Sequence, residues 1–299
     1  MALKQTVNGL LNEALRRGTG FELARPAGHR SWRLPPPRHG RLLVAPVFIF
    51  SAARSGSTLV RVILGSHSEL YAPPELPLMH MTVRADTQWI QTSMTALKLT
   101  KDDLEHMLWD HVLADALARS GKPTVVVKTP SNVLIWRRIA TCWPDARFIF
   151  LLRHPAAAVA SLRASWDPAW HPGESGSMAE AVSKGVQYMT KVEEARRALP
   201  GLTVRYEDLT TEPERVSRRM CDLLGVPFEP TMLDYGTFAQ NHFAPGLGDA
   251  SPKIRSGRIQ EPVPPPRPAD IPAALKDICA IWGYLEPADE PATAPSGPP

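Results

Sequence analysis

A chain of 299 residues is long enough for one large α/β domain or two small ones, and 43% apolar residues are ample for a sizeable core. A net charge of +4, with no block of five or more Lys/Arg, suits a small anionic ligand and argues against a nucleic-acid-binding surface. The three cysteines, Cys142, Cys221 and Cys279, lie far apart, so they give neither a disulfide framework nor a zinc spacing and read as buried apolar residues in a reducing compartment.

The first predicted element is an amphipathic helix over 2–17, with Leu3, Val7, Leu10, Leu11 and Leu15 on one stripe. It lacks the continuous apolar core of a signal peptide, and no run approaches the roughly 20 apolar residues that span a bilayer. The expected location is therefore the cytoplasm, with no membrane insertion. Residues 18–40 form a polar, Pro-rich approach. A strand over 46–51 leads through Arg54-Ser-Gly-Ser-Thr58 into a helix from about 57 to 66. Residues 67–100 read as irregular. Leu104, Leu108, Val112 and Ala116 repeat at helical spacing and predict a helix over 101–119.

Thr124-Val-Val-Val-Lys128 is a short buried strand, and Asn132 to Cys142 a helix. Arg147-Phe-Ile-Phe-Leu-Leu152 is another buried strand, after which Pro155 opens a helix from Ala156 to Ser165. A longer helix over 177–198, a fourth strand over 203–206, a helix over 212–224 and a last helix over 271–282 follow. The Pro-rich tail from Pro287 reads as disordered. This order predicts a 1–40 approach, one α/β domain over 41–286 and a 287–299 tail. The central sheet is expected to be mostly parallel and covered by helices on both faces.

In such sheets ligands bind beyond the carboxyl ends of the strands, and Arg54, Lys128 and Arg153 all sit just past those ends. Gly56 permits a tight turn, while Ser55, Ser57 and Thr58 offer hydroxyls and N–H groups at a helix N-terminus. Together they form a seat for phosphate or sulfate. The Gly-x4-Gly-Lys-Ser/Thr pattern of a nucleotide-hydrolysing loop is absent. Arg153 supplies a fixed, permanently charged fork, and Ser161 follows two turns into the next helix. No cluster with metal-ligand spacing is visible in the sequence.

These two elements, in this order, carry a resemblance. The chain resembles the sulfotransferases that use 3′-phosphoadenosine-5′-phosphosulfate, over roughly residues 45 to 285. Phe48-Ile-Phe-Ser-Ala-Ala-Arg-Ser-Gly-Ser-Thr-Leu59 is similar to their loop for the 5′-phosphosulfate. Phe148-Ile-Phe-Leu-Leu-Arg-His-Pro-Ala-Ala-Ala-Val-Ala-Ser-Leu162 is similar to their element for the 3′-phosphate. Val204-Arg-Tyr-Glu-Asp-Leu209 resembles their Tyr-Glu-Asp segment, which implies that Tyr206 lies by the adenine.

Arg54 stands where the cytosolic small-molecule branch has Lys, so the chain looks closer to the bacterial and tyrosylprotein-sulfotransferase-like branch. That resemblance implies a P-loop-like sulfotransferase fold with Glu75 as base and Lys128, in Lys128-Thr-Pro130, assisting the transition state. In the Gly-rich, basic stretch 246–259 it implies coenzyme contacts from Ser251, Lys253 and Arg258.

The roles are chemically sensible by analogy with phosphoryl transfer. Arg54 and Lys128 would offset growing negative charge, and a carboxylate would take the acceptor hydroxyl's proton. His67, His80 and His154 compete with Glu75 as base. Trp166, Trp170 and His171 are candidates for a mobile lid or a wall of the acceptor pocket. The expected reaction moves a sulfuryl group to a hydroxyl of a small-molecule or carrier-bound acceptor, without metal, and homo-oligomerisation is left open. Its rivals are a magnesium-dependent kinase or nucleotide hydrolase and a non-catalytic module that binds an anionic nucleotide.

Overall fold

A computed structural model describes residues 40–167, 173, 175–236, 251–261 and 263–285, all within one compact unit, Pro35–Pro299. The expected helix over 2–17, most of its Pro-rich approach and the tail from Pro287 lie outside the described residues, as do Trp170 and His171.

Five parallel strands make one sheet in the order β2-β3-β1-β4-β5. The strands are β1 (Val47–Ser51), β2 (Leu70–Tyr71), β3 (Thr124–Lys128), β4 (Arg147–Leu152) and β5 (Leu202–Arg205). Every residue of β1 is buried, as a central parallel strand covered on both faces requires. Successive side chains alternate between the faces. Phe48 and Phe50 lie opposite Phe148 and Phe150 in register. Their rings pack together, with Phe50 and Phe148 centroids 5.3 Å apart and Trp143 against Phe48.

The other face sends Val47, Ile49, Ile149 and Leu151 into a core closed by α1 (Ser57–Gly65) and by Val216, Met220 and Leu224, which recur at helical spacing on a later helix.

Between β2 and β3 stand α2 (Gln88–Ala96) and α3 (Lys101–Ser120); α4 (Trp136–Cys142) precedes β4. After β4 come α5 (Pro155–Ala164) and α6 (Met178–Ala198). Beyond β5 lie α7 (Tyr206–Thr211), α8 (Pro213–Leu224), α9 (Pro252–Arg255) and α10 (Lys276–Ile281). Thr100 and Ser177 start α3 and α6 with complete capping boxes.

Several expectations are corrected. Residues 67–100 contain β2, a 3-10 turn at Leu78–His80 and α2, which Thr87 caps from its side chain. Pro130–Ile135 is 3-10 rather than α-helical, so α4 begins only at Trp136. Tyr206 opens α7 instead of ending β5. The last helix begins only at Lys276, after 3-10 turns at Pro268–Asp270 and Ala273–Leu275. All three cysteines are free and buried, as expected.

The topology fixes where a ligand fits. From β1 the chain moves toward β2 at one edge; from the adjacent β4 it moves toward β5 at the other. The carboxyl ends of β1 and β4 therefore flank a topological switch point.

Candidate active site

The loop after β1 is folded tightly. Arg54 and Gly56 both have positive φ, 62° and 86°. Gly56 is required twice over: a Cβ at this position would lie 2.2 Å from Cδ2 of Tyr206. Gly56 is also the N-cap of α1 and provides no capping side chain, and the first turn contains no acidic residue. The helix thus presents its N–H groups and positive dipole end without an internal anion. Ser55 is 1% exposed, and its Oγ has no hydrogen-bond partner among the described residues. A buried hydroxyl in that state is an expected partner for ligand oxygen.

The loop after β4 meets it. Arg153 Nη1 donates to the carbonyl oxygen of Arg54 at 2.8 Å, and Arg54 Nε donates to Ser161 Oγ, on α5, at 3.4 Å. The Arg153 guanidinium also lies 4.5 Å from the Tyr206 ring centroid. Arg54, Gly56, Arg153, Ser161 and Tyr206, drawn from three separate segments, therefore form one contact network. Beside it is a pocket of about 400 Å³ whose lining includes Arg153, Ala157, Tyr206 and the apolar run Val263, Pro264 and Pro265.

A second cluster stands at the end of β3. Lys128 is 2% exposed and pairs with the Glu75 carboxylate, while its Nζ donates to Thr58 Oγ1 at 3.2 Å. The turn that carries Glu75 is fastened by the segment following Lys128. Leu76 N–H donates to Thr129 Oγ1 at 2.8 Å, Leu78 N–H donates to Asn132 Oδ1 at 2.9 Å, and Asn132 Nδ2 donates to the Leu76 carbonyl at 3.2 Å.

From α1, the buried Arg61 donates from Nη1 to the Ala72 and Pro73 carbonyls, each at 3.4 Å. Burial lowers the Arg61 pKa and the Glu75 carboxylate partly offsets that; an arginine nonetheless stays charged.

The three histidines differ in their surroundings. His67 is fully buried: its Nδ1 accepts from Glu69 N–H at 2.9 Å, which leaves the proton on Nε2 to donate to the Pro227 carbonyl at 2.8 Å. Both ring nitrogens are engaged in holding the fold. His80 is exposed at the end of its 3-10 turn. His154 caps α5 with its ring 5.1 Å from Tyr284, and burial holds its pKa below the ordinary range while Glu207 acts in the opposite direction.

Of the remaining candidates, Ser251 precedes α9, and Lys253 and Arg258 are exposed. The Arg258 carbonyl accepts from the Tyr235 hydroxyl at 2.9 Å, which ties this segment to the core. Neither the Lys253 nor the Arg258 side chain is joined to Arg54–Thr58 by a described contact. Trp166 packs beneath Lys184, whose Nζ is 5.1 Å from its ring. Among the described residues no group of three or more His, Cys, Asp or Glu is placed to hold a metal, and no helix is long and apolar enough to cross a membrane.

Sequence reasoning missed two supporting residues. Arg61 lies on an otherwise apolar helix and gave no signal of its own. Glu207 accepts from His154 N–H at 2.9 Å and from the Tyr284 hydroxyl at 2.7 Å, joining the β4 loop to the C-terminal segment. Its place in the Tyr-Glu-Asp run was its only sequence signal.

Known proteins share this architecture. The sulfotransferase domain from the curacin biosynthetic pathway superposes with a TM-score of 0.56 at 22% identity, covering 82% of this chain and 99% of that one. The sulfotransferase domain from the Synechococcus PCC 7002 olefin synthase gives 0.53 at 21% identity, covering 86% and 100%. In sequence, the nodulation protein NoeE of Sinorhizobium fredii (strain NBRC 101917 / NGR234) is 24% identical over 225 residues, 66% of this chain and 53% of that protein. The protein-tyrosine sulfotransferase of Drosophila melanogaster is 22% identical over 201 residues, 64% of this chain and 40% of its own length. The chain thus spans about half of the first of these two relatives and less than half of the second. The model of the sulfotransferase family matches residues 46–230, more than half of the chain, and the chain belongs to that family.

Proposed function

We propose that this chain transfers a sulfuryl group from 3′-phosphoadenosine-5′-phosphosulfate to a hydroxyl of a small-molecule or carrier-bound acceptor. The observation that carries this reading is Lys128. One buried ammonium touches both the Glu75 carboxylate and the Thr58 hydroxyl, so a proton acceptor, a cation and the anion-binding loop stand in contact.

The donor fits the residues present. The orphaned Ser55 hydroxyl, the uncapped start of α1 and the Arg54 guanidinium suit its 5′-phosphosulfate. Arg153 and Ser161 suit the 3′-phosphate, and Tyr206 suits the adenine side. Ser251, Lys253 and Arg258 are proposed to close over the nucleotide.

When bound, the donor supplies an activated sulfuryl group and a phosphate leaving group. Glu75 takes the acceptor hydroxyl's proton on a carboxylate oxygen. Lys128 Nζ, which is buried, and Arg54 would offset the negative charge that grows opposite them. The relative named protein-tyrosine sulfotransferase supports a hydroxyl acceptor.

The test incubates the full chain and the donor, without magnesium, with a tyrosine peptide, a phenol, a sugar and an acyl-carrier-bound hydroxy acid. Mass spectrometry then looks for sulfated product. Product from any of them supports the reading. Tight binding of the desulfated nucleotide with no product from any acceptor indicates a non-catalytic module, and ATP turnover in a parallel incubation with magnesium indicates a kinase or hydrolase.

A further inference from the structure

We infer that Arg61 is a positioning residue for Glu75, acting through the turn Ala72–Pro73 rather than by touching either substrate. The inference rests on the proposed function, in which Glu75 is the base.

Arg61 lies at the middle of α1, about one turn beyond Thr58, and is 1% exposed. The helix around it is apolar: Val60, Val62, Ile63 and Leu64 are buried in the core. An arginine in such a setting has an unfavourable desolvation that a purely packing role would not require, since an apolar residue would fill the space without that cost. Its Nη1 reaches the consecutive carbonyls of Ala72 and Pro73, three and two positions before Glu75, and the Glu75 carboxylate acts on its charge.

Proline has no N–H, so Pro73, Pro74 and Pro77 cannot fasten this segment by donating hydrogen bonds. The anchors must come from elsewhere, and Arg61 holds the upstream side while Thr129 and Asn132 hold the downstream side. Glu75 is thereby fixed between α1, which bears the anion-binding loop, and β3, which bears Lys128.

The experiment compares wild type, Arg61→Met and Arg61→Lys by three readouts. The first is amide exchange without donor or acceptor; the second is binding of 3′-phosphoadenosine-5′-phosphate. The third is kcat for sulfuryl transfer to 4-nitrophenol. In Arg61→Met the Leu76 amide is expected to exchange at least about 10-fold faster while β1 amides stay within twofold. Nucleotide affinity is expected to stay within twofold, and kcat to fall at least about 10-fold. Arg61→Lys, which keeps the charge and loses the fork, is expected to fall between the two.

Equal acceleration in β1 and at Leu76, an unchanged kcat, or a parallel loss of nucleotide binding and kcat would overturn the inference. Should Arg61→Met not fold, Arg61→Lys decides. A faster Leu76 amide with β1 unchanged supports the inference, and wild-type exchange overturns it. Wild-type protein that transfers to no acceptor refutes the proposed function instead, and the exchange data still report whether Arg61 holds the Glu75 turn.

Discussion

Arg153 Nη1 donates to the Arg54 carbonyl across 2.8 Å, which joins the loop after β4 to the loop after β1 at the carboxyl end of the sheet. The bond leaves the rest of the Arg153 fork over Tyr206 and pins a residue in the left-handed region, where a non-glycine backbone costs about 1–3 kcal/mol. The two halves of the proposed donor site are therefore coupled before any ligand arrives. Arg153→Met removes the charge and this bond but keeps much of the bulk. A hydrogen bond to a charged group contributes about 1.5–3 kcal/mol, so 3′-phosphoadenosine-5′-phosphate should bind about 10- to 100-fold more weakly by calorimetry.

Gly56→Ala tests the other side of the same network. The backbone there is left-handed, which costs an L-residue about 1–2 kcal/mol, and the added methyl would meet the Tyr206 ring. Tyr206 must move or the loop must open, and either change displaces the N-terminus of α1. The expected outcome is nucleotide binding below detection in a variant that still folds, with its melting temperature lowered by several degrees.

Much of this architecture was legible because buried parallel strands read as unbroken apolar runs. Val47–Phe50 and Phe148–Leu152 could be little else, and Arg54 and Arg153 just past them fall at the carboxyl end of the sheet. β2 was not legible, because two residues carry no period; its identity comes from pairing with Thr124 and Val125. α2 escaped for a related reason. Only Met94 of that helix is buried, so it has no apolar stripe to find, and Thr87 was the sole local signal.

In the site, Glu75 and Lys128 were each readable as candidates, and their contact was not, since 53 residues separate them. Arg61 was invisible for a physical reason: a buried arginine and a solvated one look the same in a sequence, and only the carbonyls opposite it distinguish them.

The cysteines supply a chemical check on the core. Burial pushes the thiols of Cys221 and Cys279 up to about 11, and Cys142 is fully enclosed with its Sγ 3.7 Å from the His106 carbonyl. The thiolate is the reactive form. Iodoacetamide at about pH 8, half a unit below the ordinary cysteine value, should label none of the three in the folded protein and all three in urea. Rapid labelling of a single site without denaturant would contradict this packing.

Tyr284 gives the alkaline pH dependence. Burial, and then the Glu207 carboxylate, push its phenol well above the ordinary value, so the folded state retains the proton more tightly than the unfolded chain. That contribution is fully present below the unfolded value of about 10 and is lost as pH rises above it. Tyr284→Phe deletes the bond to Glu207 and should cost about 1–3 kcal/mol at neutral pH. The gap between variant and wild type should narrow above about pH 10, measured by urea unfolding at both pH values.

The central claim is that Glu75 takes the proton while the loop from Arg54 to Thr58 holds the donor. The most direct measurement is Glu75→Gln, with nucleotide binding and sulfuryl transfer followed in the same preparation. The account expects binding of 3′-phosphoadenosine-5′-phosphate to stay within about threefold and kcat to fall about 10²- to 10⁴-fold, the usual contribution of a positioned general base. Transfer at the wild-type rate with nucleotide binding intact would contradict it and remove Glu75 from that role.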